Sequence, residues 1–186
     1  MGPQASSPAF QAGAMDTGLA HEGSTFINFR HYVPDPREHG FRWVDIKHFR
    51  FSAEFADDGE LLAALIGHEQ FRDDYAGGGV LPDGSRHGPY WLRLITPGTY
   101  EPISREKAAQ ILREWVDSLW DVSRELEADL RREVLDRLAA ADGVHRLGEL
   151  GDGAVHDWGR VHEHFHEFVL IDRSAGRITL VVAADD

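Results

Sequence analysis

The chain has 186 residues and a formal net charge of −13, with 32 acidic against 19 basic side chains. Nucleic acids and anionic membranes are bound through clustered Lys and Arg, so this charge argues against both partners. The absence of cysteine excludes disulfides, thiolate zinc sites and a cysteine nucleophile. No apolar run approaches the roughly 20 residues that span a bilayer, and no signal peptide is recognisable. We therefore expect a soluble cytoplasmic protein.

The first 23 residues are rich in Ala, Gly, Ser and Pro and show almost no apolar periodicity. That composition is typical of segments that bury too little apolar surface to fold. We predict a disordered N-terminal arm over residues 1–23 and a single α+β domain over residues 24–186. The domain begins with STFINFRHYV, a run from Ser24 whose aromatic and β-branched residues favour a strand.

The stretch that ends at Phe55 alternates between apolar and polar side chains. Phe49 and Phe51 would lie on one face of a strand and Arg50 on the other. Such alternation is typical of a strand that is wet on one side. It therefore predicts an antiparallel sheet with one solvated face.

Two further elements are predicted before residue 100. Asp57, with Glu60 three residues later, has the spacing of a helix N-cap. This short helix should end at Gly77-Gly78-Gly79, which lacks the Gly-Lys-Ser/Thr of a P-loop and therefore predicts a flexible loop. The run YWLRLIT, residues 90–96, predicts a strand that closes at Pro97.

A long helix is predicted from Ser104 to about Ala141. No Gly or Pro interrupts this run, and its apolar residues recur every three or four positions. At 1.5 Å per residue the helix would be about 57 Å long, more than the width of a small domain. Either it breaks between Asp121 and Ser123, or one end projects. A projecting end would offer a surface for homodimerisation.

The C-terminal residues favour a β-hairpin. HEFVLIDR and RITLVVAA read as two strands that are joined by a turn at Ser174-Ala175-Gly176. Together the elements predict an α+β fold. Its antiparallel sheet of about five strands packs against one long helix and one short helix.

The run VHEHFHEF, residues 161–168, contains His-Glu-x-x-His from His162 to His166. This five-residue match resembles zincin metalloproteases, in which two His on one helix face bind zinc and the Glu is the general base. The resemblance implies His162 and His166 as zinc ligands and Glu163 as the base. Asp172 is the nearest candidate for a third ligand. The implied function is a zinc-dependent hydrolase.

The flanking residues favour a strand over this helix, because Gly159 lies just upstream and FVLI follows. In a strand His162 and His166 would be about 13 Å apart, too far to meet on one ion. We therefore predict a histidine face that leans toward solvent, with no catalytic residue, no cofactor and no metal. Phe168 and Leu170 would share that face, and a bulge near Glu167 would resolve the conflict.

Two functional hypotheses remain open from the sequence. The first is a small acidic interaction protein that binds a basic protein partner, as an inhibitor or immunity protein would, without catalysis. Its support is the net charge and the acidic pairs Asp57-Asp58 and Asp73-Asp74. The alternative is the zinc hydrolase. Tyr90, Trp91 and Trp158 are further candidates to line a ligand pocket.

Overall fold

The computed structural model describes residues 18–32, 42–51, 54–118 and 122–185. In chain order its strands are β1 (Leu19–Asn28), β2 (Trp43–Phe51), β3 (Arg86–His87), β4 (Tyr90–Trp91), β5 (Tyr100–Pro102), β6 (Gly143–Leu147), β7 (His164–Asp172) and β8 (Arg177–Asp185). Six of them form one sheet in the order β1-β2-β8-β7-β6-β5, and each neighbouring pair is antiparallel. The short β3 and β4 pair with each other.

The central strands are buried on both faces. From Ile178 to Asp185 each residue of β8 is buried, which explains why this strand reads as a continuous apolar run. In β7, Phe168 and Leu170 pack into one core cluster, whereas Val169 and Ile171 pack into the other. The sheet is therefore covered on two sides. The prediction of one solvated face is wrong for the strands at the centre of the sheet.

The helices are α1 (Asp58–Gly67), α2 (Arg105–Asp117), α3 (Arg124–Leu130) and α4 (Asp136–Ala140), and a π-helical turn, Arg131–Leu135, joins α3 to α4. The predicted fold class is wrong here, since the described residues form separate helical segments in place of the single long helix and the sheet has six strands. Ser123 has an extended backbone (ψ 153°), and its side chain accepts a hydrogen bond from the Leu126 amide. Ser123 therefore caps a new helix instead of continuing α2.

The two helical segments, α2 and α3–α4, cover one face of the sheet. Leu112, Trp115, Leu126, Val134 and Leu138 are all buried in the core cluster on that side. The 3.6-residue apolar period therefore survives the break, because both segments present the same stripe to one sheet. The homodimer contact that was predicted through the long helix stays a prediction.

The opposite face is covered by α1 and by the connection from His68 to Thr99. Asp57 is the N-cap of α1, as predicted, and its Oδ1 accepts a hydrogen bond from the Glu60 amide at 3.0 Å. The predicted strand over residues 90–96 is wrong beyond Trp91, where a 3₁₀ turn, Leu92–Leu94, follows. None of the helices in the described residues is long and apolar enough to cross a membrane.

The prediction for the first strand differs from the structure in its start, whereas the prediction of a C-terminal hairpin is confirmed. Strand β1 begins at Leu19, before the Ser24 that its composition predicted. Most of the predicted arm, residues 1–17, lies outside the described residues. At the other end, β7 and β8 form a hairpin where one was predicted. Their pairing runs from His164 to Asp172 without a register shift, so the bulge predicted near Glu167 is absent.

Candidate functional site

An open cleft of about 570 Å³ lies where β1 and β2 meet the connection after α1. We call it the aromatic cleft; four aromatic and two acidic residues of its lining define it: Phe26, Trp43, Tyr75, Trp158, Asp45 and Asp73. Glycines of the predicted flexible loop, Gly77 and Gly79, border it, and Arg30 lies in its wall. The cleft therefore draws its residues from four distant parts of the chain.

The pairing of β1 with β2 places the cleft residues of these two strands on the same face of the sheet. Phe26 pairs with Asp45, and Asn28 pairs with Trp43, across β1 and β2. Cross-strand partners point to the same side of an antiparallel sheet. Since side chains alternate along a strand, Lys47 joins Trp43 and Asp45 on this side, beneath the connection that contains Asp73.

Lys47 is paired with Asp45 and Asp73, which line the floor of the aromatic cleft, and is 3% exposed. Its Nζ donates hydrogen bonds to Asp73 Oδ2 and to the Gln70 carbonyl, each at 3.0 Å. Asp45 Oδ2 is 3.7 Å from the same ammonium, close enough for ionic attraction but too far for a hydrogen bond. Two carboxylates therefore face one ammonium group, which leaves the floor with an excess of one negative charge when both are ionised.

Asp45 is 9% exposed, and its Oδ2 atom has no hydrogen-bond partner among the described residues. Burial raises the pKa of the Asp45 carboxyl to about 6, and the attraction of Lys47 opposes that rise only in part. A buried acceptor without a donor is costly, because it has given up its water and gained no partner. The buried Tyr75 hydroxyl, which interacts with Asp45, also has no hydrogen-bond partner among the described residues, so these two groups of the cleft have incomplete interactions.

Tyr75 closes the cleft from the loop side with an unusual backbone. Its φ is 56°, the one positive value among described residues other than glycine. The Asp73 carboxylate accepts a hydrogen bond from the Tyr75 amide at 2.9 Å, a local turn that supports this left-handed conformation. Its ring lies 4.8 Å from Lys47 Nζ. Strain of this kind is typical of functional sites.

The aromatic residues form a stack that continues to the surface. Trp43 stacks on Phe26 at 5.8 Å between centroids and on Tyr75 at 5.4 Å. Phe26 is 57% exposed and Trp158 is 59% exposed. Aromatic faces attract cations through their quadrupole, and exposed aromatic groups are frequent anchors of binding surfaces. The cleft thus combines two carboxylates with aromatic walls, and Arg30 adds a basic group to its lining.

A second polar network lies behind the cleft and is fully buried. His87 Nε2 is 2.6 Å from Glu167 Oε2, and the Tyr100 hydroxyl donates to the other oxygen of the same carboxylate. The Nδ1 atom of His87 donates to the Phe71 carbonyl. Gly88 lets the backbone after His87 lie close to the Phe165 ring, because a Cβ at its φ of 49° would overlap that ring. This network fixes the connection to the sheet.

The two histidines of the zincin-like motif lie on opposite faces of the sheet. His162 precedes β7 and contacts Trp43 edge-on at 6.0 Å, and its Nε2 is 3.1 Å from the Asp74 carbonyl. His166 contacts Trp115 on the helical side at 6.2 Å. The residues from His164 onward form a strand, which agrees with the strand interpretation. The structure does not bring these two imidazoles together.

The remaining candidates of the zinc alternative are also dispersed. Glu163 is exposed, and its amide donates to the Asp185 carbonyl at 3.0 Å. Asp172 lies at the far end of β7, where it accepts hydrogen bonds from Ser174 and Ala175 and shapes the hairpin turn. Among the described residues no group of three or more His, Asp or Glu is placed to hold a metal ion.

A larger cavity of about 720 Å³ lies between α2 and α3. Its lining is largely apolar, with Leu112, Val122 and Leu130 among its residues. The aromatic cleft is the better candidate site, because it contains ionisable groups whose interactions are incomplete.

The sequence pointed to some residues of the cleft and missed others. Asp73 belongs to a predicted acidic pair, and Trp158 was a predicted pocket aromatic. Tyr90 and Trp91 lie elsewhere, and Trp91 contacts His156 at 5.8 Å. Asp45 and Lys47 were missed, since charges two apart in a strand normally indicate a solvated face. The aromatic neighbours of Asp45 on the same face were the available signal.

Comparisons with known proteins do not identify the chain. No protein-family model matches it, and no curated protein matches it significantly. Among solved structures it is similar to the crystal structure of citrus MAF1, with 11% identity and a TM-score of 0.39. That alignment covers 77% of this chain and 87% of the other. A similarity this distant carries no inference about function.

Proposed function

We propose that this chain is a non-catalytic interaction protein that binds a basic protein partner, as an inhibitor or immunity-like protein does. The observation that carries the proposal is the buried carboxylate of Asp45, which lacks a hydrogen-bond donor at the floor of an open aromatic cleft. A cation from a partner would supply the missing donor. The net charge of −13 favours the same class of partner through long-range attraction.

The charges at the floor support this assignment. Lys47 is committed to Asp73 and to the Gln70 carbonyl by hydrogen bonds, so it does not satisfy Asp45 Oδ2. A buried ionised carboxylate is stabilised when it is both paired and hydrogen-bonded. A second cation would complete the floor, whereas an anionic ligand would add a like charge beside Asp45 and Asp73.

The rim of the cleft supports a protein partner. Phe26 and Trp158 each expose more than half of their surface. Aromatic groups are enriched in the desolvated centres of protein interfaces, where they fill pockets or form them. The zinc-hydrolase alternative lacks comparable support, because His162 and His166 lie on opposite sides of the sheet.

The proposal is tested by capture from native extract followed by measurement with purified proteins. The full chain serves as bait beside Asp45→Asn and a matched control, Asp136→Asn, which makes the same charge change at an exposed position on α4. We expect a protein of positive net charge to bind the wild type and the control more tightly than Asp45→Asn. Its purified complex should weaken at least about tenfold between low salt and about 0.15 M salt, because exposed charges are screened.

Two outcomes would contradict the proposal. The first is a purified partner of negative net charge. The second is a complex whose affinity is the same at both salt concentrations and is unchanged by Asp45→Asn. Circular dichroism in the near ultraviolet would show that the variants keep the wild-type packing around their tryptophans.

A further inference from the structure

We infer that the aromatic cleft receives an arginine side chain, whose guanidinium group stacks on the aromatic wall and donates hydrogen bonds to Asp45 Oδ2. The inference deepens the proposed function and rests on it, since the arginine would belong to the basic partner. Three features of the cleft select guanidinium from among the cationic groups that proteins carry.

The first feature is the unpartnered acceptor at the floor. Asp45 Oδ2 has no hydrogen-bond donor among the described residues and is almost fully buried. A trimethylated lysine carries a positive charge but no N–H group, so it would cover Oδ2 and leave it unsatisfied. The ligand must therefore bring donors as well as charge.

The second feature is the shape of the wall. The rings of Phe26, Trp43 and Tyr75 are stacked with interplanar angles of 28° and 26°. Phe26, at one end of this stack, and Trp158 are the exposed aromatic residues of the lining. Guanidinium is planar and weakly hydrated, so it stacks on such faces with less loss of hydration than an ammonium group.

The third feature is the ammonium group that already lies beside Asp45. Lys47 Nζ is 3.7 Å from Asp45 Oδ2. A second compact ammonium on the same oxygen would be placed close to Lys47, with strong repulsion in a poorly solvated site. Guanidinium spreads its charge over three nitrogens and can donate from one edge while the rest of the group lies toward the mouth.

The experiment uses the full chain and three short peptides that differ at one central residue: arginine, citrulline or trimethyllysine. Citrulline keeps the shape of arginine without its charge, and trimethyllysine keeps the charge without its donors. Titration calorimetry should give at least about tenfold tighter binding for the arginine peptide than for either of the others, the size expected for a charge-assisted hydrogen bond.

Matched variants locate the binding. Asp45→Asn should weaken the arginine peptide at least about tenfold, and Asp136→Asn should leave it unchanged. Trp158 is 59% exposed, so Trp158→Ala should leave the core packing intact. This variant should weaken binding several-fold through lost stacking. Equal affinity for the arginine and trimethyllysine peptides, or equal affinity of wild type and Asp45→Asn for arginine, would overturn the inference.

The two proposals fail in different ways. A basic protein partner whose complex ignores Asp45→Asn, with no preference for the arginine peptide, would remove the arginine pocket and leave an acidic binding protein. Arginine-peptide binding that depends on Asp45, without any basic protein partner, would keep the pocket and remove the proposed protein partnership.

Discussion

His87 Nε2 and Glu167 Oε2 lie 2.6 Å apart, and neither side chain has any exposed surface. The carbonyl of Phe71 can only accept, so His87 Nδ1 donates to it, and His87 Nε2 is left to pair with the Glu167 carboxylate. Tyr100 donates to the other Glu167 oxygen. This contact joins the hairpin of β3 and β4 to the centre of the sheet.

Loss of one partner of this pair should be costly. We expect Glu167→Ala to lower the free energy of unfolding by about 3–5 kcal/mol, because His87 and Tyr100 would be left buried without an acceptor. Urea denaturation measures the change. The double variant His87→Leu/Glu167→Leu should lose less stability than the sum of the losses of His87→Leu and Glu167→Leu measured separately. A single variant that remains within 1 kcal/mol of wild type would refute a structural role for the pair.

Asp45 should make the protein less stable as the pH rises. Its folded pKa of about 6 lies above the ordinary value of 3.8, because burial disfavours the charged form. The folded state therefore binds the proton more tightly, and this contribution to stability is complete below pH 3.8 and is lost as the pH rises through 6. Lys47, Asp73 and Tyr75 are the charged or titratable groups that face Asp45.

The matching measurement compares Asp45→Asn with wild type by denaturant unfolding at several pH values. The variant should gain about 2–3 kcal/mol relative to wild type between pH 4 and pH 7. Asp136→Asn should show no such gain. A difference between Asp45→Asn and wild type that stays constant with pH would show that Asp45 is ionised at no cost.

His166 should have the opposite pH dependence. Burial among Trp115 and its neighbours lowers the pKa of His166 to about 4 from its ordinary 6.5, with Arg146 and His164 adding repulsion. The stability that its neutral form contributes is complete above pH 6.5 and is lost as the pH falls through 4. Its Nδ1 atom has no hydrogen-bond partner among the described residues.

His166→Leu removes this titration and the unsatisfied nitrogen together. We expect the variant to be at least as stable as wild type at pH 7 and more stable by about 1–3 kcal/mol near pH 4. Thermal unfolding at the two pH values tests this, with exposed His164→Ala as the control. A variant that loses stability equally at both pH values would indicate a packing role alone.

Trp115 should be the main anchor between α2 and the sheet. It is 5% exposed, packs against Phe29 at 5.5 Å and lies 5.1 Å beneath the guanidinium of Arg42. Trp115→Ala should cost about 3–5 kcal/mol of unfolding free energy, since it leaves a large cavity. Trp115→Phe should cost less. A loss near zero for the alanine variant would mean that α2 contributes little to the core.

Much of the local structure follows from the sequence because its causes are local. The N-cap at Asp57 and the C-terminal hairpin depend on residues within a few positions of each other. The continuous apolar run of β8 reflects burial on both faces of a central strand. The long helix failed for a reason that is also local, since Ser123 accepts from Leu126 and starts a new helix. The apolar period does not reveal this cap. Because α2 and α3–α4 pack against the same sheet, their apolar residues keep one helical period across the break.

The candidate site depended on the tertiary structure. Phe26, Asp45, Tyr75 and Trp158 come from β1, β2 and two separate connections, and only the folding of those connections over the sheet brings them together. By itself the sequence determined the acidic charge, the strand character of the histidine run and the acidic pair that includes Asp73. Long-range packing decided that Asp45 is buried without a donor and that His162 and His166 are separated by the sheet, because side-chain burial is set by what covers each face.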